Sequence, residues 1–431
     1  MRGERFEIRY GDASLTCSIP ESASVRTIMP ADAPGIPDLR NELHRVLEDP
    51  TASCALSRLV RPGDRVVILV SDITRLWVRT SEFLPHVLDY LNRAGVPDGG
   101  ISVIIAKGSH REMTAEEHRL IVGDSVYRRV RVSEHSCDAD SELVFLGRTS
   151  RGTPVAVNRT AIEADRLILT GGIVHHAMSG YGGGPKTILP GIASRATIKA
   201  NHIMALAEDA VDINPAAGAA TTRGNPLHED MVEAASLVQP DFLINAVTNA
   251  QGELAFVTAG HWLEAWRAGC QYVDRLYLSE IDHKADVVVA SCGGYPLDIS
   301  LYQASKSLCN ASRALEEGGS LVLAVEAREG GGGEGFFDWY GPGGLEGHYH
   351  ALRRDFTVAG YLAFLIALIA RRMHVILVTS LSEEDVARIG ACKAATLQQA
   401  VETALARSGE AADVLVMPRA GLTLPVIARG T

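Results

Sequence analysis

The fold of this chain is decided by one stretch, Arg166 to His202, which reads RLILTGGIVHHAMSGYGGGPKTILPGIASRATIKANH. Its first residues, RLILT, form a short aliphatic run that is typical of a buried strand. Two adjacent histidines, three consecutive glycines and a lysine come next. Because ligands in parallel α/β sheets bind where strands end, this stretch predicts both the class of fold and the place of a site.

Strands and helices are predicted to alternate on both sides of this stretch. RVVILV (Arg65–Val70) and ISVIIA (Ile101–Ala106) are continuous apolar runs, and Ser81–Ala94 between them has helical spacing. A second series of apolar runs begins near residue 285 and comprises ADVVVAS, SLVLAVEA, HVILVTS and DVLVMP. This alternation predicts an α/β fold with two domains of mostly parallel sheets, and we expect the active site in the interdomain cleft.

With 431 residues, the chain is too long for one typical hydrophobic core. We predict an N-terminal α/β domain over residues 1–275 and a C-terminal α/β domain over residues 285–417. The junction is expected between Cys270 and Lys284, and the tail at 418–431 is a candidate to rejoin the first domain.

Charge and cysteine content exclude several classes of function. The net charge of −11 argues against a nucleic-acid partner, which basic side chains would have to hold through phosphate contacts. The seven cysteines include no CxxC pair, which is typical of free thiols in a reducing compartment, so we expect a cytoplasmic protein. The longest apolar run, Val358–Ala370, is too short to span a bilayer and predicts a buried helix rather than a membrane protein. An oligomer is left open.

Three polar segments follow predicted strands in the first half of the chain, and they read SDITR, AKGSHR and GGIVHH. The carboxyl ends of parallel strands meet at one edge of a sheet, so strands of one sheet would bring these segments to the same rim. The side chains concerned are Asp72, Arg75, His110 and His176. Imidazole groups can bind a metal or move a proton near neutral pH, and a lysine amine can bond covalently to a cofactor.

Gly182, Gly183 and Gly184 allow the backbone to approach a ligand closely. If their N–H groups point inward, they would provide a seat for the phosphate of a nucleotide. The run lacks the G-x-G-x-x-G spacing of a dinucleotide-binding turn.

Five segments along the chain occur in an order that identifies a family. They are DITR (Asp72–Arg75), GSHR (Gly108–Arg111), HxxxGYGGGPK with PG and ANH (His176–His202), GNP (Gly224–Pro226) and YQASK (Tyr302–Lys306). Together they resemble the nickel-pincer-nucleotide-dependent lactate racemase family, which comprises racemases and epimerases of α-hydroxy acids. The resemblance implies an isomerase with a small hydroxy acid substrate. It also implies a nickel-pincer nucleotide, the pyridinium-3-thioamide-5-thiocarboxylic acid mononucleotide with nickel, and the enzymes that make it.

The resemblance assigns four residues to the cofactor and the proton chemistry. Lys186 would hold the pyridinium ring through a covalent thioamide link, and His202 would bind the nickel. His110 and His176 would be the two general acid–base groups. Removing a hydride from the α-carbon gives a flat keto acid, and returning it to the other face inverts the carbon. A base on each side of that molecule serves both enantiomers, which explains the need for two histidines.

Substrate contacts are also implied by the resemblance. Arg75 and Lys306 would bind the substrate carboxylate, with Asp72 and Gln303 nearby, and Tyr302 would pack near the cofactor ring. Cationic side chains suit a carboxylate, and arginine can bind it with two parallel hydrogen bonds.

The substrate and the reaction class stay open in part. Many relatives carry a His-Lys pair early in the late apolar helix, where this chain reads AGYLAFLIA (Ala359–Ala367). Lactate, a larger or more polar hydroxy acid and a sugar-like acid therefore all remain candidates. Two alternatives from other classes are an NAD-dependent dehydrogenase on a doubly wound fold and a non-catalytic binding protein with a racemase-like fold. The spacing of the glycine run argues against the dehydrogenase.

Overall fold

The structure, a computed structural model, describes residues 3–333, 335–409 and 411–428. The strands are β1 (Gly3–Tyr10), β2 (Ala13–Pro20), β3 (Ser24–Thr27), β4 (Val66–Ser71), β5 (Ile101–Ala106), β6 (Arg131–Glu134), β7 (Leu143–Arg148), β8 (Pro154–Asn158), β9 (Arg166–Gly172), β10 (His175–His176), β11 (Gly180–Tyr181), β12 (Phe242–Thr248), β13 (Leu254–Gly260), β14 (Leu278–Ile281), β15 (Ala285–Ser291), β16 (Leu315–Ala324), β17 (His374–Val378), β18 (Cys392–Ala394), β19 (Asp413–Met417) and β20 (Leu424–Ile427).

The α-helices are α1 (Leu39–Glu48), α2 (Leu56–Leu59), α3 (Thr80–Arg93), α4 (Ala115–Val122), α5 (Asp124–Arg129), α6 (Arg159–Ile162), α7 (Arg195–His202), α8 (Pro226–Val238), α9 (Glu264–Tyr277), α10 (Leu301–Arg313), α11 (Gly344–Arg354), α12 (Val358–Arg372), α13 (Glu383–Arg388) and α14 (Leu397–Ser408). Short 3₁₀ helices cover Ile73–Val78, Asp98–Gly100, Asp140–Glu142, Gly184–Thr187, Ile203–Ala205 and Phe336–Tyr340.

A six-stranded sheet with the order β13-β12-β9-β4-β5-β6 forms the centre of one part of the chain. Its neighbours run parallel except for the edge strand β13, which is antiparallel to β12. Val66, Ile68 and Val70 of β4 share one face of the sheet and pack in a core with Phe83 and Leu88 of α3. Since β4 is covered on both faces, its sequence is a continuous apolar run rather than an alternating one.

A second six-stranded sheet has the order β18-β17-β16-β15-β19-β3, and all of its neighbouring strands are parallel. Val287 and Val289 of β15 pack in its core with Ile8 and Ile19, which belong to the hairpin of β1 and β2. The apolar run that predicted a buried helix lies within α12. None of the described helices combines the length and the apolar composition needed to cross a membrane.

The predicted α/β class with mostly parallel sheets is confirmed. The predicted run ISVIIA is β5 itself, and the predicted strand at residues 65–70 is β4 shifted by one residue. The sequence analysis did not predict β6, β12 and β13, which complete the first sheet on either side of β9, β4 and β5.

The described residues divide into two compact units, one within 1–31, 206–213 and 277–431 and the other within 32–205 and 214–276. The change at residue 277 lies inside the predicted junction. The start of the chain differs from the prediction, because β3 pairs with β19 of the second sheet. The tail differs too, because β20 pairs with β14 of the same unit and does not return to the first sheet.

Candidate active site

Three neighbouring strands of the first sheet carry the predicted site residues to one edge. β9, β4 and β5 lie side by side, as the sequence predicted. Asp72 follows β4, His110 follows β5, and His176 follows β9 within a short hairpin of β10 and β11. All three segments therefore start at the carboxyl ends of parallel strands, which is where ligand-binding residues gather in such sheets.

Asp72 and His110 form a hydrogen-bonded pair. Oδ2 of Asp72 contacts Nδ1 of His110, and Oδ1 accepts from the hydroxyl of Thr74 at 2.6 Å and from its backbone N–H at 3.1 Å. Burial alone raises the pKa of Asp72, but hydrogen bonds from His110 and Thr74 and the charges of His110 and Arg75 outweigh it and lower the pKa. Asp72 is therefore an ionised acceptor that orients the His110 ring.

This pairing changes the role expected for Asp72. The resemblance placed Asp72 among the residues near the substrate, whereas its carboxylate is used by His110 and by the turn at Thr74. A carboxylate that accepts Nδ1–H fixes the neutral imidazole with its lone pair on Nε2. His110 is 40% exposed, so Nε2 can be reached from solvent while Nδ1 is held.

Lys186 and His176 form the second pair. Nζ of Lys186 lies 3.0 Å from Nε2 of His176 and donates to Oγ of Ser179 at 3.2 Å. Backbone N–H groups of Met178 and Ser179 donate to Nδ1 of His176, each at 3.3 Å. A ring that accepts at Nδ1 carries its proton on Nε2, and that proton faces the lysine nitrogen.

Burial, together with the positive charge of Arg75, lowers the pKa of Lys186 to about 7. An amine with such a pKa is largely neutral just above pH 7. The neutral amine can accept a hydrogen bond from Nε2–H of His176. It can also act as a nucleophile, which an ordinary, protonated lysine cannot do at that pH.

His202 ends α7 and is 2% exposed. Burial lowers its pKa to about 3, the charge of Lys186 adds to this effect, and a hydrogen bond with the backbone of Ile198 opposes it. The imidazole is therefore neutral at every physiological pH, and the neutral form is the one that binds metals.

The two pairs and His202 belong to one electrostatic neighbourhood. The charge of Arg75 acts on both Asp72 and Lys186, and the charge of Lys186 acts on His202. The charge of Lys186 also acts on His228, whose pKa is lowered to about 4, mainly by burial.

The glycine run is held by internal hydrogen bonds. The N–H of Gly182 donates to the carbonyl of Val174 at 2.8 Å, and the N–H of Gly184 donates to Oδ1 of Asn245 at 3.0 Å. The expected phosphate seat of three inward N–H groups is therefore wrong, because two of the donors are already used. Gly183 and Gly184 both have positive φ, and a Cβ on Gly184 would lie 2.4 Å from the ring of Trp266.

Asn245 and Trp266 were missed by the sequence reading. Asn245 lies in β12, where Nδ2 donates to the carbonyl of Gly171 while Oδ1 accepts from Gly184. Nε1 of Trp266 donates to the carbonyl of Gly182 at 2.9 Å. The available signal for Asn245 was a polar side chain in the otherwise apolar strand FLINAVT. Buried polar groups of this kind usually hold a neighbouring backbone.

His175 lies on the other side of the hairpin from His176, as the alternation of a strand predicts. Its Nε2 is 2.9 Å from Oδ1 of Asp274, which also accepts from the hydroxyl of Tyr181. These contacts give His175 a structural role.

The other predicted site residues lie at the start of α10. Ser300 caps this helix, and Tyr302, Gln303 and Lys306 occupy its first two turns. Tyr302 and Lys306 are four positions apart, so they share one face of the helix, with Gln303 beside them. Their roles towards cofactor and substrate remain predictions.

Comparisons with known proteins agree with these features. A family model described as the lactate racemase N-terminal domain matches residues 10–214, and one described as the lactate racemase C-terminal domain matches residues 281–426. A lactate racemase of Lactiplantibacillus plantarum is 34% identical over 383 residues, which are 87% of this chain and 88% of that protein. The chain belongs to the lactate racemase family.

Other relatives agree with this assignment. A lactate racemase of Thermoanaerobacterium thermosaccharolyticum is 32% identical over 78% of this chain and 77% of its own length. The structure of the lactate racemase apoprotein from that organism has a TM-score of 0.87 and 28% identity, and the match covers 99% of this chain and 100% of that one. A crystal structure of a Thermotoga maritima protein shares the fold at a TM-score of 0.64 and 19% identity, covering 93% of this chain and 100% of that one.

Membership of the lactate racemase family makes the chain an isomerase, a racemase that depends on a cofactor. The glycine run is also unlike a dinucleotide-binding turn. It follows the hairpin of β10 and β11 and leads into the 3₁₀ helix Gly184–Thr187, not from a strand into an α-helix. Among the residues that the structure describes, no group of three or more His, Cys, Asp or Glu side chains is placed to hold a metal ion.

Lys186 should react with amine-selective electrophiles near neutral pH in the cofactor-free chain. Its pKa of about 7 leaves a large fraction unprotonated where a reference lysine, with a pKa of about 10.4, is almost fully charged. Competitive acetylation followed by peptide mass spectrometry should give a midpoint near pH 7, with exposed Lys393 as internal reference. Arg75→Met should raise the midpoint. Acetylation of Lys186 only above about pH 10 would contradict the effect of burial.

Asp72→Asn should lower kcat of the loaded enzyme by about 10²-fold or more, because the amide no longer fixes the tautomer of His110. The measurement is racemisation of either enantiomer followed by chiral chromatography. Thr74→Val is the matched control, since it removes a hydroxyl donor to the same carboxylate but leaves His110 in place. Equal losses in both variants would mean that Asp72 serves only to hold the turn.

Gly184→Ala should destabilise the chain more than Gly224→Ala. Both glycines have positive φ, which costs alanine about 1 kcal/mol, but a Cβ at 224 meets no atom within 4 Å. At 184 the clash with Trp266 should add about 1–3 kcal/mol. Thermal unfolding midpoints of the two variants measure the difference, and equal midpoints would show that Trp266 yields without cost.

Proposed function

We propose that this chain is a racemase or epimerase of an α-hydroxy acid, and that it removes and returns a hydride with a nickel-pincer nucleotide tethered to Lys186. The observation that carries the proposal is the contact of 3.0 Å between Nζ of Lys186 and Nε2 of His176. It joins the expected tether to an expected acid–base group. The relatives named lactate racemase support the same reaction class.

The residues fit a covalent cofactor with a metal. The lowered pKa gives Lys186 a nucleophilic amine near neutral pH, as covalent attachment requires. His202 is a buried neutral imidazole and a suitable nickel ligand. One imidazole does not hold nickel by itself, so the remaining ligands would come from the cofactor. When bound, the cofactor supplies a hydride acceptor, which no side chain provides.

His110 would take the hydroxyl proton from one enantiomer. Asp72 accepts from Nδ1, so Nε2 carries the lone pair that a base needs. The ionised carboxylate also stabilises the imidazolium that forms when the proton arrives. Asp72 is thus a positioning residue for His110 in this proposal, not a group that touches the substrate.

His176 would take the proton from the other enantiomer. In a thioamide link to the cofactor, the Lys186 nitrogen would no longer be a basic amine and would not compete for Nε2 of His176. A base at Nε2 needs the proton on Nδ1, whereas in the cofactor-free chain Nδ1 accepts from the backbone N–H groups of Met178 and Ser179. The ring would therefore have to exchange these bonds for one donated to Oγ of Ser179, which lies 3.2 Å from Nδ1.

The substrate class follows from the charges near these histidines. Arg75 is exposed at the turn after β4, and its charge reaches Lys186, so it would bind the carboxylate close to the tether. Lys306 and Gln303 of α10 are the further carboxylate contacts that we propose, and Tyr302 would pack against the cofactor ring. Lactate, a larger or more polar hydroxy acid and a sugar-like acid all carry the group that Arg75 would recognise.

The cellular setting is part of the proposal. The chain would work in the cytoplasm beside the enzymes that make its cofactor, and the seven unpaired cysteines support a reducing compartment. The net charge of −11 supports a small-molecule rather than a nucleic-acid partner.

The test is to co-express the chain with cofactor-making enzymes and to measure three quantities. We expect a mass adduct on Lys186, about one nickel per chain, and loss of optical rotation from at least one single-enantiomer hydroxy acid in a panel. Absence of the adduct, in a preparation where a known lactate racemase acquires it, would overturn the proposal.

Variants of the two cofactor residues separate the tether from the metal ligand. His202→Ala should keep the adduct on Lys186 but lose nickel, because only the imidazole ligand is removed. Lys186→Arg should lose both, since a guanidinium is not a nucleophile at neutral pH. Full nickel content in His202→Ala would contradict the assigned ligand, even if activity were lost.

A further inference from the structure

The loop that carries His110 is held by a cluster of three polar side chains, Lys107, His118 and Glu134. This cluster is separate from the two hydrogen-bonded pairs of the site. Glu134 is the last residue of β6, and its carboxylate accepts from the backbone N–H of Met113 at 3.1 and 3.3 Å. Nε2 of His118 lies 2.6 Å from Oε1, and Nζ of Lys107 lies 3.6 Å from Oε2. One carboxylate therefore meets donors from three places in the chain.

These contacts fix the loop at its beginning, middle and end. Lys107 is the first residue after β5, and Met113 directly precedes Thr114, which caps α4. Between them, Nζ of Lys107 also donates to the backbone carbonyl of His110 at 3.4 Å. The whole segment from 107 to 113 is thus tied to the end of β6 through Glu134.

Glu134 is itself fixed by the sheet. It lies opposite Ile105 in the parallel pairing of β5 and β6, and the next N–H, that of His135, donates to the carbonyl of Ile105 at 3.0 Å. The loop is therefore held against the sheet and not merely against another loop.

The group is largely shielded from solvent, so the loss of one of its contacts is not easily replaced by water. The side chains of Lys107, His118 and Glu134 are only 8%, 15% and 17% exposed. Ion pairs in such surroundings are weakly screened, and removal of one partner leaves an uncompensated charge. The neighbouring pair of Arg111 and Glu117 is different, since Arg111 is 65% exposed and water screens it.

We propose that Glu134, with Lys107 and His118, is a positioning residue for His110 in the racemase reaction. This inference rests on the proposed function of His110 as an acid–base group. Asp72, after the end of β4, holds the His110 ring, and Glu134, at the end of β6, holds the Met113 N–H and the Lys107 amine that donates to the His110 carbonyl. The imidazole is therefore fixed from two different strands of the sheet, and a displacement of about 1 Å can cost a reaction about 10²-fold in rate.

The decisive experiment is a double-mutant cycle in the cofactor-loaded enzyme. Glu134→Gln should lower kcat by about 10²-fold and change KM little, because the ring moves relative to the substrate hydroxyl while the carboxylate contacts remain. In a His110→Ala background, the same substitution should change the residual rate by less than about twofold. An equal fall in both backgrounds would overturn the proposal, since Glu134 would then act on the fold in general.

Asp241→Asn is the matched control for loss of a partly buried carboxylate. Asp241 accepts from the backbone N–H of Leu167 at 2.8 Å and pairs with Arg166 at 3.5 Å, at the beginning of β9 and far from the carboxyl edge. Its loss should lower the thermal midpoint without the fall in kcat. A fall in kcat equal to that of Glu134→Gln would count against a specific role for Glu134.

Amide hydrogen exchange tests the same contacts without activity. Glu134→Gln should speed exchange across residues 107–113, most at Met113, while α8 keeps its wild-type protection. Unchanged exchange in the loop would overturn the positioning role even if the wild type racemises a hydroxy acid. If Glu134→Gln loosens the loop but the loaded wild type racemises no hydroxy acid, the proposed function is refuted while the positioning contacts of Glu134 stand. Should Glu134→Gln fail to fold, Lys107→Met tests the tie to the His110 carbonyl by the same exchange measurement.

Discussion

The site depends on one partly buried contact, in which the Lys186 amine, with its pKa lowered to about 7, meets the His176 ring. Burial removes the water that would solvate an ammonium, and Arg75 adds a like charge nearby, so the neutral amine is favoured. A neutral amine can accept a hydrogen bond from His176. It also places no positive charge near the buried His202, where a cation would compete with a metal ion. Protonation of Lys186 would oppose both, which makes the neutral state the condition for the whole arrangement.

The histidines obtain their protonation states in two different ways. His202 is neutral because burial disfavours the imidazolium, and such a ring keeps its lone pair over the whole physiological range. His110 is 40% exposed, and the ionised Asp72 accepts from its Nδ1, which leaves the ring's lone pair on Nε2. The first environment suits a metal ligand and the second suits an acid–base group, so burial and pairing divide the two tasks between chemically identical side chains.

The sequence was sufficient for the class of fold and for the residues on the sheet edge, because apolar strand runs and their order are local signals. It was not sufficient for side-chain partners. Asp72 caps the 3₁₀ helix Ile73–Val78, and this position directs its carboxylate to His110. The glycine run bonds within the protein because Asn245, some 60 residues later, accepts from one of its N–H groups. The start of the chain was predicted within the N-terminal domain, but β3 pairs with β19 of the second sheet, because so short a strand has no local feature that selects its neighbour.

The glycine run and the loop of His110 are fixed for the same physical reason. A loop at a sheet edge has backbone N–H and C=O groups that need partners, and in this chain buried polar side chains on more distant strands provide them. Asn245 does so for the glycine run, and Glu134 does so for the loop of His110. Each sits on a strand that the sequence reading missed, β12 or β6, on opposite sides of the strands it found. The catalytic geometry of a loop therefore depends on residues that carry no chemistry and no motif, and whose positions follow only from strand order.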